Sequence, residues 1–153
     1  MKREATHVLT IGVVAGLAGG LAEVAWISLY AAVTSGDAAV VARGVTETLR
    51  ISSPAPVLAG VSIHMTLAAL LGIAVAFALR PLRLAGARLF GATLWALAAV
   101  WAVNFVLVLP ALNPAFVEIV PLAISFVSKL AFGLAAAMCL QLGGRPERIE
   151  AAA

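Results

Sequence analysis

Four stretches of this 153-residue chain are long enough and apolar enough to cross a lipid bilayer. A membrane-spanning helix needs about 20 predominantly apolar residues. The composition agrees, since 63% of the residues are hydrophobic and 11% are charged, whereas roughly a quarter are charged in soluble proteins. We therefore predict an all-α integral membrane four-helix bundle that forms one domain over residues 1–153. The predicted spans are residues 8–33, 57–79, 89–109 and 120–142.

The basic residues indicate how these spans are oriented. Lys2 and Arg3 precede an apolar stretch, as in a signal peptide. That stretch runs far beyond the roughly 7–15 apolar residues of a signal peptide, which indicates an uncleaved first span. Positive charges gather on the cytoplasmic side of membrane proteins, and one side here carries only Arg43 and Arg50, so we predict that both termini are cytoplasmic. The basic residues of the cytoplasmic side are Lys2, Arg3, Arg80, Arg83, Arg88, Arg145 and Arg148.

The connections between the spans are predicted to carry some structure. Residues 37–50 alternate apolar and charged positions at helical spacing, which predicts a short amphipathic helix on the outer membrane surface, with a solvated loop as the alternative. Ser35 is expected to cap this helix, and Arg43 and Glu47 are expected to pair across one turn. Pro110 is expected to end the third span nearby. Residues 143–153 are predicted to form a loose polar tail.

Each predicted span carries one strongly polar residue in its interior. In the first span, Glu23 follows three glycines that lie four residues apart. Such a stripe of small residues lets a second helix approach closely in lipid, and Glu23 shares its face of the helix. Small residues flank the polar positions of the second and fourth spans in the same way. The polar residues are Glu23, His64, Asn104 and Lys129, and the predicted helix-packing residues are Gly12, Gly16, Gly20, Gly72 and Gly133.

The heights of these polar residues place them in one layer of the outer half of the bilayer. Counted from the outer ends of the spans, their heights differ by roughly 6 Å at 1.5 Å per residue. A charge at the centre of a span costs about 2.5–3.5 kcal/mol on insertion scales. We therefore predict that Glu23 and Lys129 form an ion pair between the first and last spans. His64 and Asn104 are expected to be further hydrogen-bond partners.

Two roles for this layer follow from its chemistry. A buried ion pair is able to fix the register of two helices and have no other role. Alternatively, Glu23 and His64 handle a proton or bind a cation or a small ligand, because histidine titrates near neutral pH and intramembrane charges often mark functional sites. One histidine and one carboxylate fall short of the three protein ligands of a catalytic zinc centre, and Lys129 would repel a cation. We therefore predict no metal and no cofactor.

The second half of the chain is similar to a known family. From SIHMTLAALLGIAVAFALR through WAVNFVLVLPALNPAFVEIVPLAISFVSKLAFGLAAAM, the chain resembles the YagU-type bacterial inner-membrane proteins. The shared features are His64 early in the second span, Asn104 and then Pro110 late in the third, and an outer loop that contains proline. The family tends to carry histidines where this chain has Asn104 and Lys129. The resemblance implies a multi-pass protein of the bacterial cytoplasmic (inner) membrane and no defined activity.

Two functions are consistent with these features. The first is a non-catalytic accessory, structural or self-associating membrane subunit, since the glycine stripe could bind a partner helix and no catalytic motif is evident. The second is a small transporter or a proton- or ligand-handling protein that uses the polar layer. An enzyme with acid–base chemistry at Glu23, His64 and Lys129 is a less favoured third. The predicted partners are the lipid bilayer and a homo-oligomer or larger membrane complex; the small net charge of +3, without clustered basic residues, argues against nucleic acid.

Overall fold

A computed structural model describes residues 2–144 of the chain, and all regular structure in that part is helical. Four helical segments are long and apolar enough to cross a membrane: Arg3–Val33, Pro56–Leu82, Ala87–Leu112 and Leu122–Gly143. Within residues 2–144, the prediction of an all-α fold with four long apolar helices is therefore confirmed. The α-helices are α1 (Lys2–Val33), α2 (Ala39–Thr48), α3 (Pro56–Leu79), α4 (Ala87–Val103), α5 (Leu109–Leu112), α6 (Pro114–Ile119) and α7 (Leu122–Gly143).

The long helices are arranged in the order α3, α1, α7 and α4, because α1 packs on both α3 and α7 while α4 packs mainly on α7. The core between them is thin and consists mostly of small side chains, around the fully buried Phe132 and Leu97. Large apolar side chains cover much of the outside; Trp95, for example, is 79% exposed. A thin core and an apolar exterior are expected where lipid rather than water surrounds the helices, since helix association in lipid depends on close packing.

Glycines set the distance between α1 and α3. A Cβ atom on Gly16 would overlap the carbonyl oxygen of Ala68, and one on Gly12 would lie 2.7 Å from the Cα atom of Ile73. On the α3 side, Gly72 faces the backbone of Gly16 with no room for a side chain. The glycine stripe of α1 is therefore occupied within the chain. The other predicted packing glycines also lie at tight contacts, Gly20 against Ala68 and Gly133 against Leu94 and Leu97.

The start of α2 differs from the prediction. Ser35 has a φ of 54° and does not cap the helix. Instead, the carboxylate of Asp37 accepts a hydrogen bond from the Ala39 N–H at 2.8 Å and one from the Arg43 side chain at 2.6 Å. The predicted pairing of Arg43 with Glu47 is thus wrong, because Asp37 offers Arg43 a carboxylate that also sits at the helix N-terminus, where negative charge is favoured. The hydrogen bond from Arg43, together with the one from Ala39, lowers the pKa of Asp37.

The third span continues beyond the predicted bound, to Leu112. A π-helical turn at Asn104–Val108 follows α4 and leads directly into α5. In this turn the Leu109 N–H donates to the carbonyl of Asn104, five residues back. Pro110 has no N–H to contribute to a helix, and π turns commonly absorb such irregularities. Helical structure therefore continues past Pro110 and ends at Leu112. The next residue, Asn113, caps α6 by accepting from the Phe116 N–H.

One end of the bundle, the basic end, holds the start of α1, the connection from α3 to α4 and the end of α7. Its parts are joined directly: Arg80 pairs with Glu4 at 3.2 Å, and His7 Nε2 lies 3.2 Å from the Gly143 carbonyl oxygen. Helices α2 and α6 contact each other at the opposite end. Of the predicted tail, residue 143 ends α7 and residue 144 forms a turn. Residues 145–153 lie outside the described residues.

Candidate functional site

Glu23 and Lys129 form a direct ion pair between α1 and α7. The distance from Glu23 Oε1 to Lys129 Nζ is 2.7 Å, and their side chains are only 10% and 16% exposed. Glu23 reaches α7 because it lies one turn after Gly19 and Gly20, where α1 is in close contact with both neighbouring helices. The predicted ion pair between the first and last spans is therefore confirmed.

His64 of α3 faces the second oxygen of the same carboxylate. Its Nε2 atom lies 3.8 Å from Glu23 Oε2, which is beyond hydrogen-bond range. This nitrogen is buried and has no hydrogen-bond partner within residues 2–144, although the side chain as a whole is 31% exposed. The prediction that His64 is a hydrogen-bond partner of the layer is thus wrong for this arrangement: the ring is in place, and the bond is not formed.

The ammonium of Lys129 is also stabilised by an aromatic ring of its own helix. Phe132 lies three residues further along α7, hence on the same face, and its ring centroid is 5.0 Å from Lys129 Nζ. That ring is fully buried and packs against Gly19 of α1, where a Cβ atom would lie 2.6 Å from it. A cation over an aromatic face gains about 0.5–2 kcal/mol, more as it loses water. The glycine thus makes room for the ring, and the ring holds the lysine toward Glu23.

The three groups lie at similar heights. Glu23 comes ten residues before the end of α1 at Val33. His64 comes eight residues after the start of α3, and Lys129 seven residues after the start of α7. At 1.5 Å per residue these positions are about 10–15 Å from the helix ends that face α2 and α6. The charged cluster is therefore well inside the apolar part of the bundle.

Asn104 does not join the cluster. No hydrogen bond connects its side chain with Glu23, His64 or Lys129 in the described part of the chain, and its backbone carbonyl is engaged in the π-helical turn. Asn104 directly follows α4, which packs mainly on α7 and has few contacts with α1 and α3, the helices of Glu23 and His64. Three of the four predicted polar residues thus come together.

Two tryptophans beside the cluster make hydrogen bonds that the sequence pattern does not predict. The indole N–H of Trp26 donates to the Ile124 carbonyl at 3.1 Å, and that of Trp101 donates to the Ser125 hydroxyl at 3.1 Å. Both acceptors lie on the first turn of α7, one turn before Lys129. A signal for Trp26 was present, because it lies three residues after Glu23 and so shares its face. These bonds fix the end of α7 that carries the lysine.

The cluster combines a carboxylate, an imidazole and an ammonium group. No group of three or more metal-binding side chains occurs in residues 2–144, and the Lys129 ammonium adjoins the carboxylate. With a neutral His64 ring, the charges of Glu23 and Lys129 cancel. A proton added to the ring would make an imidazolium that faces Glu23 Oε2, the oxygen that Lys129 does not use.

A scan of protein-family models and searches of curated proteins and of solved structures found no match.

Proposed function

We propose that the chain is a multi-pass protein of the bacterial inner membrane, with both termini in the cytoplasm, that accepts and releases a proton at the cluster of Glu23, His64 and Lys129. Four helices of sufficient length and hydropathy support the membrane location. The concentration of arginines at the basic end supports the orientation, because positive charge favours the cytoplasmic side. The bacterial inner membrane follows from the resemblance to the YagU-type proteins.

The buried Nε2 atom of His64 carries the proposal of proton exchange. A buried polar atom without a partner costs about 1–3 kcal/mol, so a cluster with a purely structural role would gain from an apolar residue at this position. An imidazolium at His64 would instead gain a carboxylate oxygen that is 3.8 Å away and needs only a small side-chain movement to form a hydrogen bond. A proton on the ring would add the attraction between opposite charges to this contact.

Of the three groups in the cluster, His64 is the most exposed. Glu23 and Lys129 are almost enclosed, whereas 31% of the His64 side chain is exposed at the surface of the bundle. We therefore assign the exchanged proton to His64, whose Nε2 faces Glu23 Oε2. The imidazole is the side chain that exchanges protons most readily near neutral pH.

Proton flux across the membrane of liposomes that contain the protein tests the proposal. A pH-sensitive dye inside the vesicles reports proton movement under an imposed membrane potential. We expect flux with the wild-type chain, and its loss in His64→Gln, which keeps a polar side chain of similar reach. The matched control is His7→Gln at the basic end, which removes the only other histidine and is expected to leave the flux unchanged. Flux equal to that of empty vesicles, or equal flux in wild type and His64→Gln, would contradict the proposal.

A second candidate is an accessory subunit in which the ion pair acts only as a structural connection. The closed 2.7 Å contact between Glu23 and Lys129 favours it, since a pair of this kind is sufficient to fix the register of α1 and α7. Self-association through the glycine stripe loses its support, because α3 already covers Gly12 and Gly16. Stoichiometric co-purification with other membrane subunits, together with no proton flux, would establish this alternative.

A further inference from the structure

A groove at the basic end combines apolar walls with a cationic rim. It lies among the ends of α1, α3, α4 and α7 and has a volume of about 350 Å³. That is roughly twelve times the share of liquid volume that one water occupies, enough for a phosphate with its glycerol group. The walls are mostly aliphatic, and the polar groups at the rim come from Arg80, Arg83 and His7. The aliphatic residues include Val8, Ile11, Leu79, Leu89 and Leu140.

The two arginines differ in their partners. Arg80 pairs with Glu4 at 3.2 Å, so the charge of one of the two rim arginines is already compensated. Arg83 forms no ion pair within the described residues, and its side chain is exposed. Its φ of 48° belongs to the left-handed region, which non-glycine residues seldom adopt. The turn that imposes this conformation, closed by the Arg83 N–H donating to the Arg80 carbonyl at 3.2 Å, places both arginines at one rim.

The histidine at the rim is held from the other side of the groove. His7 Nε2 lies 3.2 Å from the Gly143 carbonyl oxygen, so the start of α1 is connected to the end of α7. The Gly86 N–H donates to Gln141 Oε1 at 2.8 Å and joins the α3–α4 connection to the same helix. Together with the Arg80–Glu4 pair, which joins α3 to α1, these contacts connect all four bordering helices around the groove.

We propose that this groove binds the headgroup of an anionic phospholipid. The guanidinium group is suited to phosphate because it offers several N–H donors in a planar fork, and Arg83 provides one that has no acidic partner among residues 2–144. A free anion would meet only part of this chemistry, since it has nothing to place against the aliphatic walls. A phospholipid fills both parts, with its phosphate at the arginines and its glycerol and first methylene groups between the leucines. Basic pockets between membrane helices commonly bind such headgroups.

Native mass spectrometry of the purified full chain tests the site. The protein is titrated with phosphatidylglycerol, with phosphatidylcholine and with inorganic phosphate, which separates a lipid site from a site for free phosphate. We expect phosphatidylglycerol to be retained over phosphatidylcholine, with no competition from millimolar phosphate. Arg83→Gln is expected to weaken binding of phosphatidylglycerol about fivefold, the value of one basic residue near an anionic lipid surface.

The matched control is Arg88→Gln. It removes the same charge from an exposed position at the same end but does not border the groove, so it is expected to leave lipid binding unchanged. Equal weakening by both substitutions would mean that the basic end attracts lipid only through its general charge. Equal retention of the two lipids, or displacement of phosphatidylglycerol by inorganic phosphate, would also overturn the proposal. None of these outcomes depends on proton flux at His64.

Discussion

The ion pair between Glu23 and Lys129 makes a specific prediction about pairs of substitutions. In Glu23→Gln the Lys129 ammonium loses its carboxylate while its side chain remains 84% covered. In Lys129→Met the carboxylate loses the ammonium but retains His64 at 3.8 Å. In the double variant neither charge is present, and methionine fills the space of the lysine with a flexible apolar chain. The double variant should therefore be more stable than Glu23→Gln alone.

The expected magnitudes follow from burial. Removing one partner of a buried pair costs about 3–5 kcal/mol, and the slight exposure of Lys129 places Glu23→Gln at about 3 kcal/mol. Lys129→Met should cost less, about 2 kcal/mol, because the carboxylate then keeps the His64 ring beside it. Replacing both members of such a pair is often close to neutral, so the double variant should lose about 1 kcal/mol or less. The losses are thus far from additive.

Unfolding in mixed micelles by added denaturing detergent measures these differences. Tryptophan fluorescence follows the transition, since Trp26 and Trp101 both hydrogen-bond to the first turn of α7 beside the pair. The control is Glu47→Gln on the exposed side of α2, which should change the free energy of unfolding by no more than about 0.5 kcal/mol. Losses in the two single variants that add up to the loss in the double variant would refute the reasoning, because independent sites behave in that way.

Two further predictions concern packing and pH. Gly16→Val should destabilise the bundle strongly or prevent folding, because the new Cβ atom would overlap the backbone of α3. Gly91→Val should be tolerated, since nothing lies within 4 Å of a Cβ atom at that position. Similar unfolding midpoints for the two variants would contradict this prediction. Because folding lowers the pKa of the Asp37 carboxyl, its contribution to the stability of α2 is complete above the pKa of the unfolded chain, about 3.9. That contribution is lost as the pH falls through the lower pKa of the folded chain. Amide exchange at the start of α2 should therefore quicken below pH 4 relative to α1, and unchanged exchange would contradict it.

The spans and the central ion pair could be predicted from the sequence because both depend on regular periodicity. Twenty apolar residues in a row indicate a span, and spacings of three and four residues place Glu23 on the glycine face of α1. Lys129 was assigned to it because an unpaired charge inside the bundle would be costly. These inferences needed only helix geometry and charge.

Other features depended on details that spacing does not contain. The π-helical turn at Asn104–Val108 changes the register of the third long helical segment, and that segment packs mainly on α7, away from the helices of Glu23 and His64. Arg43 pairs with Asp37 and not with Glu47, and Asp37 follows a turn in which Ser35 has a positive φ. Likewise, side-chain packing decides whether His64 Nε2 and Glu23 Oε2 are 3.8 Å apart, as here, or at the roughly 3 Å of a hydrogen bond. Each is a matter of local geometry, which a pattern of residue types leaves open.

The most direct test of the account is the distance between the ammonium nitrogen of Lys129 and the side-chain carboxyl carbon of Glu23 in a lipid bilayer. Lysine occurs only at positions 2 and 129, so labelling with ¹⁵N at Nζ gives two signals that are simple to assign. Solid-state NMR should show strong dipolar coupling between Lys129 Nζ and a glutamate carboxyl carbon, and Glu23→Gln should abolish it, as the 2.7 Å contact to Oε1 requires. Absence of that coupling in the folded protein would show that the first and last spans do not meet through these charges.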